Sequence, residues 1–457
     1  MPNADSEDPD PALAADTIAA IATPPGRGAI GVVRLSGLGV PEIAQAALGL
    51  LPAPRHATLC SARDRHGATI DQGIALHFPA PHSYTGEPVL EFQGHGGPVV
   101  LQAVLSAFLD YGARLAAPGE FTQRAFLNGR LDLAQAESVA DLIDAASREA
   151  ARSALRSLSG EFSEAIHGLV ESLVELRALT EAMLDFPEEE VDGLHRDDAS
   201  ARLEGVRSAL AGILAMSRQG SLLRTGINVV IAGRPNVGKS SLLNRLAGEE
   251  RAIVAAVPGT TRDALREAIQ IEGVPINIID TAGLRDSGDE VERLGVERAR
   301  AELRRADVVL AVFDASVGLL AEDRAVLEEL PREGRQIHVF NKIDLALDAT
   351  ANAFSSVVRQ VRVSAKTGEG LDELRHALLQ AAGWEAQGEN VYLARERHLR
   401  ALTRAREHLQ SAAGQQGRWE FFAEDLRMAQ TALSQITGEF TADDLLGEIF
   451  ARFCIGK

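Results

Sequence analysis

Residues 233–240 read Gly-Arg-Pro-Asn-Val-Gly-Lys-Ser, and this stretch decides the fold of the central part of the chain. It follows the apolar run 227–232 and leads into residues 241–246, whose pattern is that of a helix. A strand, a glycine-rich loop with the spacing G-x-x-x-x-G-K-[ST] and a helix together predict a P-loop, in which backbone N–H groups surround a phosphate. We expect Lys239 to reach the outer phosphates and the hydroxyl of Ser240 to hold Mg²⁺. The alternative is a plain surface turn. It is less favoured because further nucleotide-binding motifs follow downstream.

Strand and helix patterns alternate around this loop between about residue 225 and residue 383. The strand candidates are 228–232, 276–279, 308–313, 336–340 and 360–363. Such alternation predicts a doubly wound α/β sheet. Polar motifs stand at the carboxyl ends of these strands, which is where ligands bind in open α/β sheets.

The downstream motifs are GTTRD at 259–263, DTAG at 280–283, NKID at 341–344 and SAK at 364–366. The carboxylate of Asp344 can accept hydrogen bonds from N1–H and the exocyclic amine of guanine, and adenine has no matching donors. We therefore expect the nucleotide to be GTP. The candidate GTP-binding residues are Gly233, Asn236, Val237, Gly238, Lys239, Ser240, Ser241, Thr260, Thr261, Asp280, Thr281, Ala282, Gly283, Asn341, Lys342, Asp344, Ser364, Ala365 and Lys366.

A magnesium ion and an attacking water are the other needs of GTP hydrolysis. Mg²⁺ prefers oxygen ligands, and we expect Ser240 and Thr261 to bind it directly. We expect Asp280 to lie just outside these direct ligands. Thr261 lies in a polar stretch that is expected to order around the γ-phosphate. Leu284 stands where Ras-like GTPases have a glutamine that orients the water, and leucine cannot do this. Nearby acids could supply that role or could form a solvated helix start: Asp286, Asp289, Glu290 and Glu292.

The bulk composition is that of a globular protein. The 457 residues suggest roughly two to four domains. A net charge of −19 argues against broad, sequence-independent nucleic-acid binding, which needs a basic surface. No apolar run reaches the roughly 18–20 residues of a membrane span, and no signal peptide is visible. We therefore expect no membrane partner. Two cysteines, Cys60 and Cys454, suggest no disulfide framework, so we expect a cytoplasmic location.

The flanking segments have other patterns. We expect a disordered tail over 1–15 and an α+β domain over 16–128, in which 94–97 (Gly-His-Gly-Gly) is too flexible to be strand interior. His95 alone is a weak metal candidate, because most single histidines have structural or surface roles. Helical patterns fill 129–223 and 384–457 and flank the α/β domain, 224–383. The simplest interpretation is one helical domain with the α/β domain inserted; two separate helical domains are the alternative.

From about Asp16 to its end, the chain resembles the MnmE (TrmE) family of tRNA-modification GTPases. The resemblance rests on DTIAAIATPPGRGAIGVVRLSG, SYTGEPVLEFQGHGGP, PGEFTQRAFLNGRLDLAQAE, GRPNVGKSSLLNRLAG, PGTTRDALRE, DTAGLRDSGDEVERLGVERA and TGEFTADDLLGEIFARFCIGK. It implies an N-terminal folate-binding and dimerisation domain, a discontinuous helical domain and an inserted Ras-like G domain. It also implies a homodimer that joins FAD-dependent MnmG in a heterotetramer. The pair would install an aminomethyl or carboxymethylaminomethyl group on C5 of the tRNA wobble uridine, with 5-formyl- or methylene-tetrahydrofolate as the source of one carbon.

The same resemblance implies roles for residues of the GTPase domain. Asn236 would coordinate a potassium ion, which replaces the charge of an arginine finger. Backbone oxygens near Ala255, Val257 and Thr260 would complete that site. Glu292 would orient the water. The residues implied for turnover in the switch segments are Arg285, Arg262 and Asp263.

The resemblance further implies a folate site formed by Arg34, Glu91, Arg130 and Lys457. Arg130 stands where the family has a lysine, which keeps the charge but changes the geometry. Cationic groups suit the glutamate carboxylates of a folate, and Glu91 suits the donors of a pterin; the alternative is that Arg34 and Glu91 are ordinary strand residues. Cys454, near the end, is either a reactive thiol or a buried structural cysteine. Its context fits a prenylation motif poorly.

A ribosome-assembly or signalling GTPase switch is the alternative function. Related GTPases of that kind share the GTTRD and DTAG motifs. They carry RNA-binding appendages, whereas this chain has a folate-type front domain and ends in CIGK.

Overall fold

The computed structural model describes residues 16–185, 192–248, 266–280, 303–330, 335–346, 358–385, 391–415, 418–439, 443–451 and 453–456. The predicted tail, 1–15, lies outside these residues. The contacts divide the chain into two compact units. Unit 1 comprises Met1–Ala140 and Ser434–Lys457, and unit 2 comprises Asp141–Leu433. The finer domain limits expected from the sequence stay predictions.

The secondary-structure elements of the described residues are numbered along the chain. The strands are β1 Ile18–Ile21, β2 Ile30–Ser36, β3 Thr58–Arg63, β4 Thr69–Phe78, β5 Val89–His95, β6 Arg114–Leu115, β7 Ile227–Ala232, β8 Arg266–Ile271, β9 Val274–Asp280, β10 Val308–Asp314, β11 Gln336–Asn341 and β12 Arg359–Arg362. The helices are α1 Val40–Leu48, α2 Pro98–Asp110, α3 Glu120–Leu127, α4 Leu133–Ile143, α5 Arg148–Leu158, α6 Glu161–Asp185, α7 Asp192–Thr225, α8 Lys239–Ala247, α9 Ala321–Glu329, α10 Leu371–Ala381, α11 Glu396–Gly414, α12 Trp419–Thr437 and α13 Asp443–Phe450. A short 3₁₀ turn covers Ile343–Leu345.

Unit 1 is built on a mixed sheet with the strand order β3-β4-β5-β2-β1-β6. All neighbouring pairs are antiparallel except β1 and β6. In β5 the buried Leu90 and Phe92 alternate with the half-buried Glu91 and Gln93, as expected of a strand with one face in the core. Helices α1 and α2 pack on that core face. The opposite face therefore carries Glu91.

The prediction that residues 94–97 are too flexible for a strand interior was wrong for Gly94 and His95. Strand β5 continues through both, and Gly94 pairs with Gly31 of β2. A Cβ on Gly94 would overlap the carboxylate of Asp71. The glycine is therefore a close-approach residue within the strand, and this cannot be distinguished from a flexible loop by composition.

The two segments of unit 1 meet in a small apolar cluster. Leu133 and Ala136 of α4 pack with apolar residues of the C-terminal segment. Those residues are Leu446, Ile449, Phe450 and Phe453. The end of the chain is therefore part of the core of unit 1.

The helical part of unit 2 is organised around α7, which packs against α5, α6 and α11. Helix α6 buries an apolar stripe, and Val170 beside it is half-buried. The buried residues are Phe162, Ile166, Leu169, Leu173 and Leu176. Their spacing of three and four residues places these side chains on one face of the helix. Among the described residues, no helix is both long enough and apolar enough to cross a membrane.

The predicted α/β sheet lies within unit 2 and has the strand order β12-β11-β10-β7-β9-β8. All pairs are parallel except β8 with β9. Strand β10 is buried along its whole length, as expected of a central parallel strand covered on both faces. The parallel strands bring the carboxyl ends of β7, β10, β11 and β12 to one edge of the sheet, so the polar motifs that follow them meet there.

Candidate functional site

The loop between β7 and α8 has the backbone that a phosphate cradle requires. Gly233 and Gly238 have positive φ angles of 151° and 94°. A Cβ on Gly233 would lie 2.5 Å from the carbonyl oxygen of Val312, and one on Gly238 would overlap the amide of Asn341. Helix α8 begins directly after Gly238, so the positive end of its dipole points to the loop.

Lys239 lies under this loop and is only 7% exposed. Its ammonium donates to the carbonyl oxygens of Gly233 at 2.8 Å and Arg234 at 2.9 Å. The Arg234 guanidinium donates in turn to Asp323, which is fully buried at the start of α9, at 3.1 Å. Ser240 is exposed and therefore open to a ligand. These contacts place a positive charge where the outer phosphates are expected.

Asn341 joins three of the predicted motifs. It is buried, and its side-chain amide donates to the carbonyl oxygen of Val237 at 2.9 Å. Its side-chain oxygen accepts a hydrogen bond from the backbone N–H of Ala365 at 3.0 Å. The P-loop, the NKID segment and the SAK segment are therefore held together by a single side chain.

The segment expected to recognise the base is also preorganised. Ser364 is fully buried, and its hydroxyl donates to the carboxylate of Asp344 at 2.7 Å. The Ser364 hydroxyl oxygen accepts from the N–H of Thr367 at 3.1 Å. Asp344 itself is exposed, and so is Lys366. A carboxylate held on one side and open on the other suits a ligand with paired N–H donors.

A further ion pair lies between the base segment and the P-loop. The Lys342 ammonium donates to the Asn236 carbonyl oxygen at 2.8 Å and to the Asp314 carboxylate at 2.6 Å. Burial acts to raise the pKa of Asp314, but hydrogen bonds from Lys342 and Ser316 outweigh it and hold that pKa below its usual value. Asp314 is therefore a carboxylate at neutral pH.

A second candidate site lies on the open face of the sheet in unit 1. Arg34 of β2 and Glu91 of β5 are paired across the strands, and the guanidinium donates to one carboxylate oxygen at 2.8 and 2.9 Å. The guanidinium also lies 5.6 Å from the ring centre of Tyr84 and 5.8 Å from that of Phe121. Such aromatic neighbours fix a planar cation in one orientation. The pair is only partly buried, so a ligand can reach it.

Two further residues predicted for this second site, Arg130 and Cys454, lie in unit 1. Arg130 is exposed, beside Gly86. Cys454 is also exposed, which contradicts its interpretation as a buried structural cysteine, and its carbonyl oxygen accepts from the N–H of Gly119 at 3.4 Å. Gly456 packs against the end of β1, where a Cβ would lie 2.5 Å from the carbonyl oxygen of Ile21.

Comparison with known protein families and sequences decides the relationship. A family model described as the MnmE helical domain matches residues 133–454, and one described as the GTP-binding protein TrmE N-terminus matches residues 17–130. The chain is 59% identical to "tRNA modification GTPase MnmE" of Thiobacillus denitrificans, over 97% of this chain and 98% of that protein. The chain belongs to the MnmE family.

Other relatives agree with this assignment. The protein of the same name from Azoarcus sp. is 60% identical, over 97% of this chain and 98% of that protein. Among solved structures, the G domain of the T. maritima FeoB iron transporter is 30% identical, over 34% of this chain and 98% of that domain. Its TM-score of 0.27 is too low to support a conclusion about the fold.

Several site residues expected for this MnmE-family chain lie outside the described residues. Strand β9 ends at Asp280, whose backbone alone is described. The others are Ala255, Val257, Thr260, Thr261, Arg262, Asp263, Thr281, Ala282, Gly283, Arg285, Glu292 and Lys457. In the part of the chain that the structure describes, no cluster of three or more His, Cys, Asp or Glu side chains is suited to a metal ion.

His95, the weak metal candidate, has a carboxylate partner. Its ring Nδ1 lies 2.7 Å from the largely buried Asp71, which also accepts from the His95 backbone N–H at 2.8 Å. Burial acts to raise the pKa of Asp71, and the bonds from His95 and Gln72 hold it below its usual value. This pairing gives His95 a structural role at the end of β5.

Sequence reasoning missed a buried ionic network in unit 1 of this family member. Arg124 of α3 is 4% exposed and donates to the carboxylates of Asp16, Glu87 and Glu120. Arg114 pairs with Glu120 and Asp16 as well. The spacing of Glu120 and Arg124, four residues apart in a helix, was the available signal, but such pairs are usually on the surface.

Proposed function

We propose that this MnmE-family enzyme is the GTP-hydrolysing component of a system that modifies C5 of the tRNA wobble uridine. The GTPase assignment rests on family membership together with the P-loop. The observation that carries it is the position of Asn341, whose amide and carbonyl groups tie the phosphate loop to the base segment. A nucleotide that binds here meets both halves of its site already assembled, which lowers the entropic cost of binding.

The metal requirements belong to the same proposal. Mg²⁺ would be held by Ser240 and Thr261, and K⁺ by Asn236 with backbone oxygens of Ala255, Val257 and Thr260. The exposure of Ser240 and of Asn236 supports this, because both side chains are accessible. The potassium ion would supply the positive charge that an arginine finger supplies elsewhere. Glu292 would orient the attacking water.

The one-carbon chemistry would take place in unit 1, with a tetrahydrofolate bound near Arg34 and Glu91. The partly buried and stacked Arg34–Glu91 pair supports this placement, because it offers a fixed donor array beside a carboxylate. Arg130 and Lys457 would bind the glutamate carboxylates. Cys454 is exposed and so is accessible for a chemical role.

The proposed partners follow from the family. The enzyme would form a homodimer through residues 16–128, would assemble with FAD-dependent MnmG and would act on tRNA in the cytoplasm. The G domain, 224–383, would be inserted in a helical domain formed by 129–223 and 384–457. The net charge of −19 gives no support for tRNA binding, so this element rests on family membership alone.

The hydrolytic part is tested by GTP turnover in potassium and in sodium. We expect faster turnover in potassium, and equal rates would exclude the cation role of Asn236. Glu292→Ala should abolish hydrolysis while GTP still binds. Glu290→Ala, a neighbouring acid, serves as the matched control and should keep most of the activity. Hydrolysis that survives in Glu292→Ala would show that another group orients the water.

The biological part is tested by mass analysis of tRNA wobble nucleosides from a strain that lacks this protein. Loss of the C5 modification, restored by the wild-type gene, is the expected result. An unchanged profile would favour the ribosome-assembly or signalling switch. Titration of the protein with 5-formyltetrahydrofolate separately tests the site at Arg34.

A further inference from the structure

Asp314, at the end of β10, belongs to none of the nucleotide motifs that the sequence suggested. Its side chain is 10% exposed, and both of its oxygens have partners. Oδ1 accepts from the Ser316 hydroxyl at 2.6 Å and from the Ser316 backbone N–H at 3.0 Å. Oδ2 accepts from the ammonium of Lys342 at 2.6 Å. Ser316 therefore fixes the carboxylate so that its other oxygen faces Lys342.

The Lys342 ammonium makes a second contact, with the carbonyl oxygen of Asn236 in the P-loop at 2.8 Å. Asn236 and Lys342 both adopt left-handed backbone conformations, with φ angles of 64° and 65°. Residues other than glycine occupy this region rarely, asparagine more often than lysine, and contacts with neighbours help to hold them there. The Lys342 ammonium, anchored by Asp314, is one such contact.

These contacts form a chain that crosses the nucleotide site. It runs from the Ser316 hydroxyl through Asp314 and the Lys342 ammonium to the backbone of Asn236. The backbone N–H of Ala315 also donates to the carbonyl oxygen of Asn341 at 2.8 Å, so β10 and the NKID segment are tied twice. A group fixed by charge-assisted hydrogen bonds holds its partner in a narrower range of positions than a neutral contact does.

We propose that Asp314 is a positioning residue for guanine-nucleotide binding. It holds the Lys342 ammonium, and through it the Asn236 carbonyl, so that the base segment and the P-loop keep the geometry that the nucleotide requires. The inference goes beyond the proposed function, and only its potassium readout depends on that function. The effect of Asp314 on the rate of nucleotide release does not depend on that function.

The experiment compares Asp314→Ala and Asp314→Asn with the wild type by stopped-flow release of a fluorescent GDP analogue. We expect release about tenfold faster in Asp314→Ala, the effect of losing a hydrogen bond between charged groups. Asp314→Asn keeps an oxygen that can accept from Lys342, so its release rate should lie between those of the wild type and Asp314→Ala. Steady-state turnover should show a raised KM for GTP and a raised half-saturating potassium concentration, while kcat at saturation changes little.

Asp307→Asn is the matched control, because Asp307 lies just before the opposite end of β10. Its carboxylate accepts from the backbone N–H and the side chain of Asn228 at 2.8 and 3.1 Å, away from the P-loop. This variant should release GDP at the wild-type rate. Equal acceleration in both variants would mean that loosening of β10, rather than the contact with Lys342, causes the effect.

A double-mutant cycle with Lys342→Met separates positioning from general loss of structure. If Asp314 acts through Lys342, Asp314→Ala should add little once Lys342 has been replaced, because coupled residues are not additive. Fully additive effects would overturn the proposal, and so would an unchanged release rate in Asp314→Ala. If Asp314→Ala does not fold, Asp314→Asn and Ser316→Ala provide the same comparison. Turnover independent of potassium in the wild type would refute the proposed cation role and leave the release test intact.

Discussion

Gly238 shows how single residues define the nucleotide site through their backbone. Its φ angle of 94° lies in the left-handed region, and its Cα faces the amide of Asn341. The same amide donates to the carbonyl oxygen of Val237. The absence of a side chain at one position is therefore what permits the contact that joins phosphate and base segments.

Gly238→Ala is expected to weaken nucleotide binding by at least tenfold and to destabilise the domain by about 1–3 kcal/mol, because the methyl group strains the backbone and displaces Asn341. Calorimetric titration with GDP and thermal unfolding measure the two effects. Gly212→Ala is the control, since Gly212 lies within α7 and a Cβ there meets nothing within 4 Å. That change should stabilise slightly, by about 0.5–1 kcal/mol. Normal GDP affinity in Gly238→Ala would contradict the role given to this glycine.

Arg34→Lys tests whether the planar shape of the cation matters in unit 1. Lysine keeps the charge but loses the paired donation to Glu91 and the stacking between Tyr84 and Phe121. Affinity for 5-formyltetrahydrofolate, followed by fluorescence titration, should fall about tenfold or more. Arg63→Lys on β3, where Arg63 is exposed, should bind as the wild type does. Unchanged affinity in Arg34→Lys would mean that the planar shape of the cation at this position does not matter for ligand binding.

At the scale of elements, helix α3 is anchored by charge rather than by apolar contacts alone. Burial acts to raise the pKa of Glu120, but hydrogen bonds from Arg114, the Ala117 backbone and Arg124 hold it below its ordinary value. Since the folded pKa is below the unfolded pKa, this carboxylate stabilises the unit fully above pH values near 4.5. The contribution is lost as the pH falls through the folded pKa.

Unit 1 is therefore expected to lose stability below about pH 4.5, as Glu120 and Asp16 take up protons. Hydrogen exchange of peptides from α3, corrected for the intrinsic effect of pH, should accelerate in that range. Arg124→Met should expose these peptides at neutral pH, because three carboxylates lose a buried cation, at a cost of about 3–5 kcal/mol. Exchange in α3 that does not respond to either change would show that the network is not stabilising.

Prediction of elements succeeded where apolar runs were long. Strands β7 and β10 are buried and consist mostly of apolar residues, with several valines in each, so the sequence identified both. Strand β8 was missed because it is an antiparallel edge strand with polar residues, and only pairing with β9 makes it a strand. The end of β5 was missed because a glycine there serves close packing against Asp71.

At the scale of the molecule, the last segment of the chain completes the core of the first unit. Phe450 is 2% exposed, and its ring lies 6.5 Å from that of Phe126 and 5.4 Å from that of Phe453. Leu133 belongs to the same cluster. The segment that carries Cys454 is thus held to unit 1 by apolar packing.

Phe450→Ala is expected to destabilise unit 1 by about 3–5 kcal/mol, because it leaves a cavity among aromatic rings. Hydrogen exchange of peptides within residues 120–140 measures this loss. Phe421→Ala in α12 is the matched control, since that ring is 59% exposed and its removal should change stability by no more than about 0.5 kcal/mol. Equal, small effects in both variants would mean that the C-terminal segment does not support unit 1.

The sequence by itself determined the P-loop, the order of the nucleotide motifs and the central parallel strands, because these depend on local spacing and on apolar runs. Family resemblance named the residues of the second site. Tertiary structure alone decided that Asn341 bridges the motifs, that Asp314 anchors Lys342 and that Arg124 is buried among carboxylates. These contacts join residues up to 108 positions apart, and the identity of a polar residue does not reveal its distant partner.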